Sequence, residues 1–132
     1  MDLYEVMRTT FAARDFTDDS VPDSVLETIL ENARFAPSGG NRQGWKVIVV
    51  RSEETKTALK PFIVPTFQRY VAQVKAGEAP WNSITPTQLS DAEIDATEPP
   101  MAMVDAICGA PVVLIVCVDL SVVASFDSQL PR

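Results

Sequence analysis

Seven consecutive apolar residues, Val112-Val113-Leu114-Ile115-Val116-Cys117-Val118, constrain this chain more than any other stretch. A strand that is apolar on both faces belongs in the middle of a covered sheet, with a hydrogen-bonded neighbour along each edge. Only one partner is obvious: Trp45-Lys46-Val47-Ile48-Val49-Val50-Arg51, β-branched on both faces and so predicted to be covered on both sides. The second neighbour is expected either from another copy of the chain or from a longer domain of which these 132 residues are the first part.

The remaining apolar residues recur with helical spacing. Residues 2–10 place Leu3, Val6, Met7 and Thr10 on one face, behind an Asp2 suited to N-capping. Ser20-Val21-Pro22-Asp23 starts a second helix, expected to run to about Phe35, with Val25, Leu26, Ile29, Leu30 and Ala33 as its stripe. Pro37 then prevents continuation, because the residue before a proline is pushed out of helical geometry. Ser52 followed by Glu53 and Glu54 opens a helix that Pro61 is expected to limit. Residues 66–76 read as a separate amphipathic helix, with Phe67, Tyr70, Val71 and Val74 in its stripe and Gly77 as its stop. Residues 101–107 form a short helix closed by Gly109 and Pro111. Within this single, partial domain of residues 1–132, residues 78–100 lose all periodicity and read as one long irregular loop, functional or mobile. Trp81 is the residue best suited to anchor that loop or to lie over a ligand.

Charge and residue types exclude several functions. A net charge of −7 argues against nucleic acid and polybasic membrane partners, yet leaves a small anionic ligand open. The chain has no histidine, which removes Ser-His-Asp and Cys-His catalysis and every His-based metal site. Cys108 and Cys117 lie in apolar runs and read as buried, inert thiols. The start lacks a basic and then apolar leader pattern, and the longest apolar run is too short to span a bilayer, so a cytoplasmic protein is expected.

The chemistry-bearing stretch lies between the second helix and the first strand: Pro37-Ser38-Gly39-Gly40-Asn41-Arg42-Gln43-Gly44. Its residue types suit a simple turn, and they equally suit a ligand loop in which glycine lets a ligand approach the backbone. Arg14 is a lone cation in the connector after the first helix.

In sequence, Ala36-Pro37-Ser38-Gly39-Gly40-Asn41-Arg42-Gln43-Gly44-Trp45 running into a strand resembles the A-P-S-x-x-N-x-Q-x-W signature of the flavin-dependent nitroreductase family. Met7-Arg8-Thr9-Thr10-Phe11-Ala12-Ala13-Arg14-Asp15-Phe16 is similar to that family's first-helix motif, Val21-Pro22 to its V-P pair, and Ala110-Pro111 with the strand after it to its A-P-V strand. The resemblance implies an α+β fold with a central mixed β-sheet flanked by helices, here apparently truncated at the C-terminus. It implies a homodimer with FMN sites at the interface, or a second polypeptide supplying the remainder. It implies an FMN-dependent oxidoreductase that takes electrons from NAD(P)H and reduces nitroaromatic or quinone-like acceptors, with no side chain of this chain in a catalytic role. Pro37, Ser38, Gly39 and Asn41 would contact FMN from one subunit, and Arg14 its phosphate or ribityl chain from the other. Thr10-Phe11-Ala12 stands where the family has basic or hydroxyl-bearing residues, which thins the phosphate site; Arg69 is a candidate to compensate. The alternative is a truncated, non-catalytic flavin binder or assembly partner of the same fold.

Overall fold

The computed structural model describes residues 2–82 and 84–122. In chain order it contains helices α1 (Leu3–Thr9) and α2 (Asp23–Ala33), a 3-10 turn (Gly39–Asn41), strand β1 (Trp45–Val50), helices α3 (Glu53–Lys75), α4 (Asp91–Asp95) and α5 (Met101–Gly109), and strand β2 (Val113–Val118). They belong to two compact units. One joins the residues up to Asp18 with Ser52–Ala110; the other joins Asp19–Arg51 with the chain from Pro111 on.

The first unit is helical. Asp2 caps α1 by accepting the Glu5 N–H at 3.0 Å, yet α1 buries no residue. Ser52 caps α3 by accepting the Thr55 N–H at 3.2 Å, with Glu53 and Glu54 at the positive end of the dipole. Where the sequence predicts two helices separated at Pro61, α3 is one helix of 23 residues with Pro61 and Pro65 inside it. The prolines are four residues apart and both exposed, so their defects fall on one solvent-facing strip. There the Thr57 and Pro61 carbonyls, whose N–H partners four residues on are replaced by proline, belong to exposed residues. The helix ends as expected at Gly77 (φ 76°), where the Gly77 N–H donates to Val74 and the Glu78 N–H to Gln73. Packing of α3 against α4 and α5 buries Ala72, Ile94, Val104 and Cys108.

The stretch from 78 to 100 is not wholly irregular: α4 interrupts it, closed by a reciprocal capping box between Ser90 and Glu93. Glu78 ties the stretch together, accepting from Thr87 Oγ1 (2.6 Å), the Gln88 N–H (2.8 Å) and Gln73 Nε2 (3.2 Å). Gln68 Nε2 donates to the Asp95 and Thr97 carbonyls. Trp81, the expected anchor, is 74% exposed. The anchor is a carboxylate and not an aromatic ring.

In the second unit β1 and β2 pair antiparallel, from Trp45 opposite Val118 to Val50 opposite Val113. The described residues thus form a two-stranded antiparallel sheet, whereas the resemblance implies a central mixed one. Their α and β content agrees with an α+β fold. Among the described residues β2, expected at the centre, pairs with β1 alone, and Val116 is 70% exposed. β1 is likewise open at Ile48 and Val49 in place of the expected double cover. The reason is one of supply: among the described residues no further strand is available to pair β2. An Arg51–Asp23 ion pair (2.6 Å) ties the end of β1 to the start of α2. α2 stops at Ala33, short of the expected Phe35, and the chain turns through Phe35 and Ala36 before Pro37. Cys108 is buried and Cys117 half-buried, both as free thiols. Among the described residues no helix is long and apolar enough to cross a membrane.

Candidate functional site

The loop after α2 holds the unit's densest set of polar contacts. The Asn41 N–H donates to the Ser38 carbonyl (2.8 Å), closing the 3-10 turn. Gly40, Asn41 and Gln43 have φ of 62°, 53° and 49°. Glycine takes this geometry at little cost, whereas Asn41 and Gln43 hold it only because neighbouring contacts offset the strain. Those contacts are visible. The Gln43 N–H donates to Ser38 Oγ (2.9 Å), Gln43 Nε2 to Asn41 Oδ1 (2.9 Å), and Trp45 Nε1 to Gln43 Oε1 (2.6 Å). Gly44 ends the loop, its carbonyl accepting the Asp119 N–H at 2.7 Å. A Cβ on Gly44 would lie 2.2 Å from Val122 Cγ2, so the chain can enter β1 there only without a side chain. Asp119 is itself fixed by Ser121, whose hydroxyl and amide N–H hold its carboxyl below the usual carboxylate range.

Two open clefts flank the loop. One, of about 330 Å³, is lined by Ser38, Gly39, Arg42, Trp45, Val118 and Val122 among others. The other, of about 390 Å³, is lined by Arg34, Asn41, Gln43 and Trp45. Arg34 brings a guanidinium to it, with Nη1 engaged by the Glu31 carboxylate at 2.7 Å, and Asn41 and Gln43 bring side-chain amides.

Four of the five residues singled out in the sequence, Pro37, Ser38, Gly39 and Asn41, stand together on this loop. Ser38 is half-buried and the other three are exposed. Arg14 belongs to the first unit. There it is exposed, donates to the Ala12 carbonyl (3.3 Å), and lines a groove of about 330 Å³ with Phe16, Phe67, Tyr70, Met103 and Ile107. Phe11, in the run expected to thin a phosphate site, is 81% exposed. Sequence reasoning assigns Gln43 and Trp45 no role of their own; a donor-only indole two residues from an amide is the signal that marks them.

The family model described as the nitroreductase family matches residues 7–131. The chain belongs to the nitroreductase family. It is 47% identical over 47 residues to an NADH dehydrogenase of Thermus thermophilus, a match covering 36% of this chain and 23% of that protein. It is 32% identical over 75 residues to a Methanothermobacter thermautotrophicus protein assigned as an NADH dehydrogenase/NAD(P)H nitroreductase, covering 57% of this chain and 37% of that one. It is 35% identical over 60 residues to an iodotyrosine dehalogenase 1 homolog of Caenorhabditis elegans, covering 46% and 18% respectively. The matched stretch thus spans well under half the length of each of these relatives.

Proposed function

We propose that this nitroreductase-family chain is part of an FMN-dependent NAD(P)H oxidoreductase that reduces nitroaromatic or quinone-like acceptors by two electrons. The observation that carries this reading is the loop from Pro37 to Gly44 in a chain matched to the family over residues 7–131. It is held in left-handed geometry with Asn41 exposed at a cleft it lines together with Arg34, Gln43 and Trp45.

The residues fit the group. A flavin edge offers several carbonyl and ring-nitrogen acceptors, and the loop offers donors. Ser38 Oγ accepts from the Gln43 N–H, which leaves its hydroxyl proton to donate. Pro37 and Gly39 bring backbone within reach of a planar ligand, and Gly39 adds no side chain. Arg14 carries the charge suited to a phosphate, and in this reading it serves the site of a second subunit. The site is completed in a homodimer, or by a second polypeptide. Bound FMN supplies the redox chemistry between NAD(P)H and the acceptor, while the protein supplies position and electrostatics.

The test is a visible spectrum of the purified protein with FMN, followed by NAD(P)H oxidation in the presence of a nitroaromatic. A preparation that stays colourless with added FMN refutes the reading. Arg14→Ala is expected to weaken FMN more than riboflavin, which lacks the phosphate; equal losses remove Arg14 from the phosphate. A second reading, reductive dehalogenation of an iodinated phenol, is favoured by the similarity to the dehalogenase homolog. Iodide release from iodotyrosine with no turnover of nitroaromatics selects it.

A further inference from the structure

The side-chain contacts in the loop fix the orientation of one amide unambiguously. An indole Nε1–H donates and cannot accept. The Gln43 atom 2.6 Å from Trp45 Nε1 is therefore the carbonyl oxygen Oε1. That places Gln43 Nε2 on the other side, where the Ala36 carbonyl, which can only accept, receives it at 3.4 Å. Two groups of fixed polarity thus demand the same orientation of Gln43. Gln43 Nε2 also lies 2.9 Å from the Asn41 side chain, and a donor must meet an acceptor there, so the near atom of Asn41 is Oδ1. The Asn41 NH2 group is left exposed and, among the described residues, without a partner.

We infer that Trp45 and Gln43 are positioning residues that lock the Asn41 amide with its NH2 group outward, so that the site selects a ligand edge rich in acceptors. Without the relay, Asn41 would present oxygen or nitrogen with similar ease and would discriminate little. With it, a donor edge meets two N–H groups and is rejected, because neither side can supply the acceptor. Arg34 lines the same cleft, but its Nη1 is already paired with the Glu31 carboxylate at 2.7 Å, so the preference rests on Asn41. The left-handed backbone at Asn41 and Gln43 is held by these same bonds, so polarity and loop shape are set together. The ligand's identity as FMN rests on the proposed function; the relay does not.

Gln43→Glu tests it. An ionised glutamate still accepts from Trp45 but cannot donate to Asn41, and the two facing oxygens repel. Asn41 is then expected to turn, offering Nδ2 inward and Oδ1 outward. Near neutral pH, FMN affinity of Gln43→Glu is expected to fall about tenfold or more, the loss of one well-placed hydrogen bond. It is expected to recover as the pH is lowered toward the glutamate range of about 4.3, where the protonated carboxyl donates again. Gln43→Met is expected to show no such recovery. Side-chain amide signals in nitrogen–proton spectra read the relay without any flavin: Asn41 NH2 exchange with solvent is expected to slow in Gln43→Glu. Trp45→Phe, which deletes the orienting donor, is expected to abolish protection of the Gln43 NH2 protons and serves if Gln43→Glu fails to fold. Unchanged amide exchange in folded variants overturns the relay. A parent that never binds FMN, with the expected exchange changes, overturns only the flavin reading.

Discussion

Lys56 offers a stringent test of how the helical unit is held together. It is the one charged residue buried among the described residues, at 1% exposure. Its Nζ donates to the Ala110 carbonyl at 2.8 Å, joining the first turn of α3 to the end of α5, and it also contacts Glu53 Oε1 at 2.5 Å. The two partners differ in environment: Ala110 is buried, whereas the Glu53 side chain is 82% exposed. Lys56→Met keeps the apolar stem and deletes the ammonium, stranding the Ala110 carbonyl at a cost of about 1–3 kcal/mol. Glu53→Gln removes only the solvent-facing charge, for which exposed pairs give about 0–1 kcal/mol. Lys56→Ala adds lost packing and is expected to exceed Lys56→Met. Urea unfolding followed by circular dichroism measures all three, with an unchanged m-value showing that the comparison is of like with like. If Glu53→Gln costs as much as Lys56→Met, the ion pair and not the carbonyl bond holds the helices, and the reasoning fails. A Lys56→Met protein as stable as the parent refutes it as well.

Pro61→Ala is expected to stabilise the protein. An interior helix proline costs up to about 3 kcal/mol against alanine, and less on a solvent-facing strip, so a gain of about 1–2 kcal/mol is expected. A lower urea midpoint contradicts a continuous α3. Gly44→Ala is expected to destabilise by about 1–3 kcal/mol through its clash with Val122, and Val122→Ala is expected to restore part of that loss; no rescue places the clash elsewhere. The Glu78 carboxyl is held below the usual carboxylate range, first by the Thr87 hydroxyl and then by the Gln88 N–H. Its folded value lies below its unfolded one, so its contribution is complete above the ordinary carboxylate range and is lost as pH falls through the depressed value. Protection of the Gln88 amide, taken against its intrinsic exchange rate at each pH, is expected to fall over that acid window in the parent and to show no such fall in Glu78→Gln.

What the sequence disclosed were features whose cause is local. Asp2, Ser52 and Gly77 act within a few residues of themselves, and each caps its helix as read. The loop from Pro37 to Gly44 was legible for the same reason: its turn residues, its proline and its following strand are contiguous. Pro61 misled because the local rule prices a lost N–H without knowing which way the freed carbonyl faces. Two prolines one turn apart on a solvent face share a defect that water repairs. Glu78 was missed because its partners come from Gln73, Thr87 and Gln88, on either side of a segment with no periodicity to flag it. Trp81, the residue expected to anchor the loop or to lie over a ligand, is 74% exposed and does not serve as the anchor.

The sheet and the loop meet in Trp45. In an antiparallel pair, residues directly opposite share a face. Trp45, Val47 and Val49 therefore stand on the same face as Val118, Val116 and Leu114, and that face is apolar throughout. The side chains from β2 on it are exposed, an arrangement that leaves hydrophobic burial at about 25 cal/mol per Å² unrealised. Trp45 is half-buried at one end of this face, and its indole N–H points into the loop, where it sets Gln43 and through it Asn41. One side chain thus contributes its ring to the sheet's apolar face and its single donor to the polarity of the cleft. A change that moves that ring is expected to disturb the Asn41 amide without touching the loop itself, which is why the indole, and not the glycines around it, is the residue on which the loop's chemistry depends.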